Sequence, residues 1–213
     1  MAKQKPIAQG RGATTLHRSS NPLRAKSAQR RRNQNLFLGG GIALLVGLIA
    51  LVVYLNIRNQ QPAGEEQVLA SLGNTHIEDG DVSPIQYNST PPSSGPHYGG
   101  MAPFGLNNTP VRYEQVLHNL EDGGVALYYQ CADGCPALVS QLEAVVTAYQ
   151  RAGKKVLLAP NDPTWTVNNS LPLHQDMENR IALTAWQRID KFNDFDEARI
   201  RKFIDRYEGI DHH

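Results

Sequence analysis

The sequence predicts one N-terminal transmembrane helix followed by a small exported α/β domain that contains a βαβ unit. Three observations lead to this prediction. The first is an apolar run of about 20 residues from Leu36 to Ile57, which is the length that a bilayer requires. The second is a strand, helix and strand pattern between Val125 and Pro160. The third is a cysteine pair that lies between that strand and that helix.

The apolar run, LFLGGGIALLVGLIALVVYLNI, contains no ionisable side chain except Tyr54. A single segment can cross the hydrocarbon layer only as a helix, because its backbone amides find no water there. A cleaved signal peptide is the competing interpretation, but its apolar core has about 7 to 15 residues and ends at an A-x-A-like site. This run is longer and continues into NIRNQQ, so we expect an uncleaved anchor in the lipid membrane.

The charges are distributed asymmetrically about this run. Nine of the 21 Lys and Arg residues precede it, together with none of the 20 Asp and Glu residues. Arg30, Arg31 and Arg32 adjoin its start, whereas only Arg58 follows it closely. Positive charge is retained in the cytoplasm, so we expect a single-pass cell-membrane protein with a cytoplasmic N-terminus and an extracytoplasmic domain. The basic arm lacks aromatic residues for base stacking, which argues against nucleic-acid binding.

Composition also predicts the domain boundaries. The arm is polar and has no apolar periodicity, so we expect it to be disordered. About 150 residues follow the apolar run, which is enough for one domain with its own core. The predicted segments are a basic arm, a transmembrane helix, a linker and an exported domain, at 1–35, 36–57, 58–72 and 73–213.

The first half of the exported part has weak patterns. Glu65 to Ser71 favours a helical turn, and THIEDGDV favours a strand with a turn at Asp79 and Gly80. The stretch from Tyr87 to Tyr113 is rich in Pro and Gly, which excludes regular helix or strand, yet its aromatic residues indicate an ordered loop. EQVLHNLE, from Glu114 to Glu121, is either a short helix or the first arm of a hairpin.

The second half has clearer patterns. VALYYQ predicts a buried strand, PALVSQLEAVVTAYQRAG an amphipathic helix and KKVLLAP a second strand, which together require a parallel pair with a right-handed crossover. IALTAWQR, from Ile181 to Arg188, predicts one further strand. FDEARIRKFIDRY predicts a closing helix, whose acidic first turn suits the helix dipole. The final His212 and His213 are expected to fray.

Three separated motifs follow the apolar run in a fixed order: TPPSSGPHYGGMAPFG, HNLEDGGVALYY and IALTAWQR. In this combination the chain resembles a bacterial family catalogued as domain of unknown function 3105, over roughly the whole exported part. The resemblance implies a membrane-anchored, exported α/β domain and supplies no established activity. The second motif typically reads H-N-L-E-H-G-G in that family, and this chain has Asp122 in place of its second histidine.

His97 and His118 lie in the two most constrained stretches and, with Met101, predict a metal site. Imidazole with thioether suits copper, particularly Cu(I), whereas imidazole with carboxylate suits zinc or iron. We therefore expect an envelope protein that binds a metal, with copper as the first choice. Further possible ligands are Glu121, Asp122, His174 and Met177. In the competing interpretation, both histidines bond backbone carbonyls and hold the loop against the sheet.

Cys131 and Cys135, in CADGCP, lie directly before a helix N-terminus, where the helix dipole lowers the pKa of a thiol. In an exported domain they can also form a plain structural disulfide. The motif resembles the C-x-x-x-C-P motif of the membrane-anchored Sco copper chaperones. That resemblance implies a thioredoxin-like fold, copper binding by both thiolates and a distant histidine ligand, for which His174 or His118 is available. Thiol-redox activity is a further alternative.

The sequence contains no G-x-S-x-G, no Walker loop and no complete zinc-protease signature. Asp122 and the two glycines after it interrupt the H-x-x-E-H spelling. Glu121 and Asp122 are sequence neighbours and do not face each other as an acid and base pair would. We therefore predict no catalytic residues, and the alternative to metal binding is a non-catalytic interaction domain of the cell envelope with a protein partner.

Overall fold

The structure, a computed structural model, describes residues 22–62, 64–168 and 170–213. The chain divides into two compact units, one that ends at Leu55 and one from Asn56 to His213. All described residues of the first unit lie in the helix α1, Pro22–Gln60. Its segment Phe37–Arg58 is long and apolar enough to cross a membrane.

The helix α1 begins earlier than the sequence analysis predicts. Its first residue is Pro22 rather than Leu36, so residues 22–35 of the expected disordered arm are helical. Pro is favourable in the first turn of a helix, and the Leu, Arg, Ala, Lys and Gln residues that follow it are good helix formers. The expected disorder of residues 1–21 lies outside the described residues.

The second unit is a mixed α/β domain, as predicted. Six of its strands form one sheet in the order β1-β8-β7-β5-β6-β4, and β2 pairs in parallel with β3 apart from it. The described residues form these elements in chain order: β1 (Gln67–Val68), β2 (His76–Ile77), β3 (His97–Tyr98), β4 (Gly105–Leu106), α2 (Tyr113–Glu121), β5 (Val125–Tyr129), α3 (Pro136–Arg151), β6 (Val156–Pro160), β7 (Ile181–Ala185), β8 (Arg188–Phe192) and α4 (Glu197–Tyr207).

The βαβ unit lies at the centre of the sheet. β5 and β6 are parallel neighbours that α3 connects, and β7 pairs antiparallel with the other edge of β5. Side chains alternate between the two faces of these strands. Val125 and Leu127 pack with α3 and α4 on one face, whereas Ala126 and Tyr128 pack with α2 on the other. The sheet is therefore the middle layer between α3 and α4 on one side and α2 on the other.

The short helix α2 resolves the alternative that EQVLHNLE leaves open. Val116, Leu117 and Leu120 have helical spacing, and all three are buried in the cluster that covers the sheet. The helix ends where Gly123 adopts a φ of 81° and its N–H bonds the carbonyl of Leu120. The packing of this apolar face decides in favour of a helix.

Two predictions about local elements, one helical turn and one strand, are wrong. Glu65 to Ser71 is no helical turn, because Gln67–Val68 pairs antiparallel with β8 as an edge strand. Ile181 to Arg188 is not one strand, because the chain reverses at Trp186 and Gln187 and continues as β8. The turn lacks Gly, Asn and Pro, which are the residues that usually indicate a turn. Gln187 adopts a positive φ of 59°, which is not expected from its residue type.

Candidate metal centre

Pairing of β2 with β3 brings two histidines together that are distant in sequence. The two strands are parallel, with His76 opposite His97. The backbone N–H of His97 donates to the carbonyl of Thr75 at 3.0 Å, and the N–H of Gly95 donates to that of Gly73 at 3.0 Å. The imidazole ring centroids of the two histidines are 5.0 Å apart.

The helix α2 supplies two more side chains at the same place. His118 and Glu121 are three residues apart, so they share one face of the helix. The side chain of Asn119 ties the helix to the preceding loop, since it accepts from the N–H of Ala102 at 2.8 Å and donates to its carbonyl at 2.9 Å. These bonds fix the position of α2 relative to the loop that carries His97.

Four side chains thus form a compact set, which we call the histidine cluster: His76, His97, His118 and Glu121. One potential ligand atom from each lies within 4.8 Å of all the others. The ring of His118 is 5.2 Å from that of His76 and 5.4 Å from that of His97. Three imidazoles and one carboxylate are a donor set that zinc and other divalent transition metals accept.

Backbone carbonyls determine which ring nitrogens carry protons. Nδ1 of His97 is 2.8 Å from the carbonyl of Gly95, and Nδ1 of His118 is 2.9 Å from that of Tyr98. A carbonyl only accepts, so both Nδ1 atoms carry a proton and the lone pair of each neutral ring is on Nε2. Metal-ligating histidines commonly have this arrangement, in which one nitrogen is held by the protein and the other is free to coordinate.

The buried pair of His97 and Glu121 needs a positive charge. Nε2 of His97 is 2.9 Å from Oε2 of Glu121, and both side chains are inaccessible to solvent. With a neutral ring, two acceptor atoms face each other, and either a proton or a metal cation must lie between them. Burial lowers the pKa of His97, which opposes the proton. The other oxygen of Glu121 accepts from the side-chain amide of Asn74 at 2.7 Å.

The C-terminal tail packs against the end of α2. The N–H of His212 donates to the carbonyl of Glu121 at 2.9 Å, and that of Gly209 donates to the carbonyl of Gly123 at 2.8 Å. Nε2 of His213 is 2.5 Å from Oδ1 of Asp122, and this hydrogen bond raises the pKa of His213. The tail is therefore held in place rather than frayed. His118, Asp122 and His213 form a second group that could hold a metal ion.

The structure brings together His97, His118 and Glu121 from the predicted set, and Asp122, which is also predicted, lies beside His118. Met101 is 45% exposed, and its backbone carbonyl accepts from the side chain of Gln115. Met177 is fully buried in the apolar cluster between the sheet and α2. The side chain of Met101 is thus partly open to solvent, and that of Met177 packs among apolar residues.

His174 occupies a separate place. Its ring stacks on that of Tyr113 with centroids 4.3 Å apart. Its Nδ1 accepts from the N–H of Asp162 at 3.2 Å, and its Nε2 donates to the carbonyl of Val111 at 2.9 Å. Both ring nitrogens are thus engaged in hydrogen bonds that hold three loop segments together. Burial lowers the pKa of His174.

Cys131 and Cys135 are joined by a disulfide at the turn between β5 and α3. They line an open cavity of about 1070 Å³ at the carboxyl ends of β5 and β6, with Asn161, Asp162 and Asp176 among its other walls. This cavity and the histidine cluster share no lining residue. The cysteines and the histidines are therefore two separate sites.

The sequence analysis misses His76 as a member of the cluster. It lies in a two-residue strand, and its only connection to His97 is a pairing between segments that are separated by a loop. The sequence also gives no reason to place His213 beside Asp122, since 91 residues separate them. The sequence offers one weak signal for the cluster, which is that His76, His97 and His118 each lie near Gly-rich or Pro-rich stretches.

Comparison with curated proteins found no significant match, and neither did comparison with solved structures. A family model described as a protein of unknown function, DUF3105, matches residues 79–212. The matched range contains His97, His118 and Glu121 and covers more than half of the chain. The resemblance of the three sequence motifs is thereby confirmed, and the chain belongs to the DUF3105 family of proteins of unknown function.

Proposed function

We propose that this protein binds a divalent transition-metal ion through His76, His97, His118 and Glu121. One observation carries the proposal. Three imidazoles and a carboxylate converge within 4.8 Å, and one imidazole nitrogen faces the carboxylate without water access. No catalytic motif accompanies them, so the protein is proposed as a metal-binding protein rather than a metalloenzyme.

A metal ion accounts for this arrangement better than a proton does. A proton between His97 and Glu121 satisfies two atoms and gives no reason for the approach of His76 and His118. A cation with four ligands uses all four side chains and removes the repulsion between the two buried acceptors. The carbonyls that hold Nδ1 of His97 and of His118 leave the coordinating nitrogens in the required form.

The donor set favours zinc, or another divalent first-row metal, over Cu(I). Imidazole and carboxylate are ligands of Zn²⁺, Fe²⁺ and Cu²⁺, whereas Cu(I) prefers the soft sulfur of Cys or Met. Met101 is the predicted thioether ligand, and its side chain is half exposed. Copper in its divalent form stays within the proposal, because first-row affinities generally peak at Cu²⁺.

Metal content of the purified full chain in detergent tests the proposal. After stripping with a chelator and equilibration with Zn²⁺, the protein should retain about one ion per chain through desalting, as a closed four-ligand site would. His97→Ala and Glu121→Ala should each lose that ion. His174→Gln is the matched control, since it removes a buried histidine outside the cluster. A wild-type chain that retains no ion, or variants that retain it equally well, would contradict the proposal.

We further propose that α1 anchors the protein in the cell membrane with the domain on the outer side. The support is the helix Phe37–Arg58, together with the nine basic residues that precede it. The ion would then come from the metal supply of the envelope. An interaction domain with purely structural histidines is the competing function, and the retained-metal measurement separates the two.

Thiol-disulfide exchange at Cys131 and Cys135 is a second candidate function. The strand order β6-β5-β7-β8, with the cysteines at the turn from β5 to α3, supports the thioredoxin-like interpretation. The cavity of about 1070 Å³ beside them could admit a protein dithiol as the substrate. Such a disulfide should be reduced by dithiothreitol in the folded chain and should re-form on oxidation. Reduction only after unfolding would indicate a structural disulfide.

A further inference from the structure

The residues next to the histidine cluster suggest how an ion reaches it. The second group, His118, Asp122 and His213, shares His118 with the cluster. Nδ1 of His118 is bonded to the carbonyl of Tyr98, so the ring has one coordinating atom, Nε2, for both groups. That atom lies 3.9 Å from Oδ2 of Asp122. Because one lone pair binds one cation, the two groups cannot both hold a fully coordinated ion at the same time.

Exposure increases from His97 and Glu121, the buried pair of the cluster, to the second group. The side chains of His97 and Glu121 are 0% and 1% exposed, that of His118 is 12% exposed, and those of Asp122 and His213 are 22% and 50% exposed. His118 thus lies between a solvent-facing pair and a buried pair. The two groups have the arrangement of successive positions along one path.

His213 of the second group also lies near Glu121, the carboxylate of the histidine cluster. Nδ1 of His213 is 3.8 Å from Oε1 of Glu121, which is the oxygen turned away from His97. Three carboxylates lie here, those of Glu121, Asp122 and Asp211, and Asp211 accepts from the N–H of His213 at 3.0 Å. One ammonium group is also present, since Nζ of Lys155 donates to the backbone carbonyl of Asp122 at 2.7 Å. An excess of carboxylates attracts cations and raises their association rate.

We propose that His118, Asp122 and His213 form an outer divalent-cation site that loads the histidine cluster by transfer through His118. The inference rests on the proposed function, because it needs the cluster to bind the ion. His213 and Asp122 first capture the cation from solvent. Nε2 of His118 then coordinates it from the inner side, and the ion exchanges its outer ligands for His97 and Glu121.

A residue on the path and a residue of the final site give different kinetic signatures. Removal of a path residue slows loading and release by the same factor, which leaves the equilibrium affinity unchanged. Removal of a ligand of the final site speeds release and weakens the affinity. The rates of Zn²⁺ loading and release therefore separate the two roles.

Stopped-flow measurement on the metal-stripped full chain in detergent provides the test, with Zn²⁺ and a chelating dye. His213→Ala and Asp122→Asn should each lower both rates by about tenfold, leave Kd unchanged and still saturate at one ion. His212→Ala is the matched control, because it alters the neighbouring tail residue, whose side chain belongs to neither group; it should behave as the wild type.

Three outcomes would overturn the inference. Unchanged rates in His213→Ala would mean that the ion arrives by another route, such as the exposed side of His76. A higher Kd with an unchanged loading rate would make His213 a ligand of the final site. Two ions bound to one wild-type chain would show that the groups do not share His118. A wild-type chain that binds no ion would instead refute the proposed function, and this inference with it.

Discussion

Glu121 shows at the scale of one residue how the site is specified. Its Oε2 faces His97, its Oε1 accepts from Asn74 and lies near His213, and its backbone carbonyl accepts from His212. A carboxylate in such a position is costly to bury unless a partner compensates its charge. In the sequence, Glu121 is recognisable only as the last residue of the motif H-N-L-E. The motif does not reveal the four neighbours that give Glu121 a role.

Substitution of His76 distinguishes the role of a metal ligand from that of a structural residue. It is exposed, so His76→Ala should change the free energy of unfolding of the metal-free chain by less than about 0.5 kcal/mol. The same variant should weaken Zn²⁺ affinity by about tenfold or more, because one of four ligands is lost. Competition with a chelating dye measures the affinity. Glu78→Gln, two residues away and also exposed, should leave the affinity unchanged.

An unchanged affinity in His76→Ala would contradict the four-ligand cluster. It would restrict the site to His97, His118 and Glu121, which are the members that the sequence analysis names.

His174 should contribute a pH dependence of stability. Burial lowers its pKa in the folded chain, and protonation would break the bond that Nδ1 accepts from Asp162. The unfolded chain, with a pKa of about 6.5 for this group, then binds more protons than the folded chain as the pH falls below that value. The contribution is fully present above about pH 6.5 and is lost as the pH falls.

Denaturant unfolding of the chelator-treated chain between pH 7.5 and roughly pH 5 tests this titration of His174. The wild type should lose free energy of unfolding more steeply than His174→Gln, which lacks the titrating group. Since other histidines titrate equally in both chains, only the difference between the two curves reports on His174. Parallel curves would show that His174 titrates normally in the folded chain.

At the scale of elements, the loop before α2 carries the geometry of the cluster. Gly95 has a φ of 126°, which L side chains rarely adopt, and a Cβ there would lie 2.9 Å from the ring of Tyr87. The carbonyl of Gly95 is the group that holds Nδ1 of His97. The hydroxyl of Tyr87 donates to the carbonyl of Pro96 at 2.6 Å, so the ring cannot move away freely.

Gly95→Ala should therefore destabilise the domain by roughly 1–3 kcal/mol and weaken Zn²⁺ binding as His97 is displaced. Gly100→Ala is the matched control in the same loop, because its Cβ would meet nothing within 4 Å. Thermal unfolding and dye competition on both variants measure the two effects. Equal melting temperatures for the two variants would contradict the assigned role of Gly95.

The elements that periodicity predicts best are those that bury one face. α3, β5 and β6 have apolar patterns that match the layer they contact, and the sequence predicts all three and their parallel pairing. β1 to β4 have two residues each, and non-local pairing holds them. A two-residue strand has no period to detect, so the sequence cannot predict the β2–β3 pair that assembles the cluster.

At the scale of the whole molecule, the chain combines two parts that carry net charges of opposite sign. The part before the apolar segment carries only positive charges, whereas every Asp and Glu residue follows it. This asymmetry, together with the length of Phe37–Arg58, is visible in the sequence without any structure. The sequence therefore predicts the anchor more firmly than it predicts the site.

The orientation of the anchor has a direct test. Protease added to intact cells should digest the domain from Asn56 to His213, because the proposed orientation keeps the basic N-terminal side in the cytoplasm. An antibody against the domain follows its disappearance. A cytoplasmic protein serves as the control and must stay intact. Protection of the domain until the cells are opened would place it on the inner side.

X-ray absorption at the zinc edge of the Zn²⁺-loaded full chain tests the central claim most directly. Nitrogen and oxygen ligands should appear at about 2.0–2.1 Å, with the multiple scattering that imidazole rings produce. Glu121→Ala should remove the bound zinc, while Gly100→Ala should keep the same spectrum. A sulfur shell at about 2.3 Å, or an oxygen shell without imidazole scattering, would contradict coordination by the three histidines and Glu121.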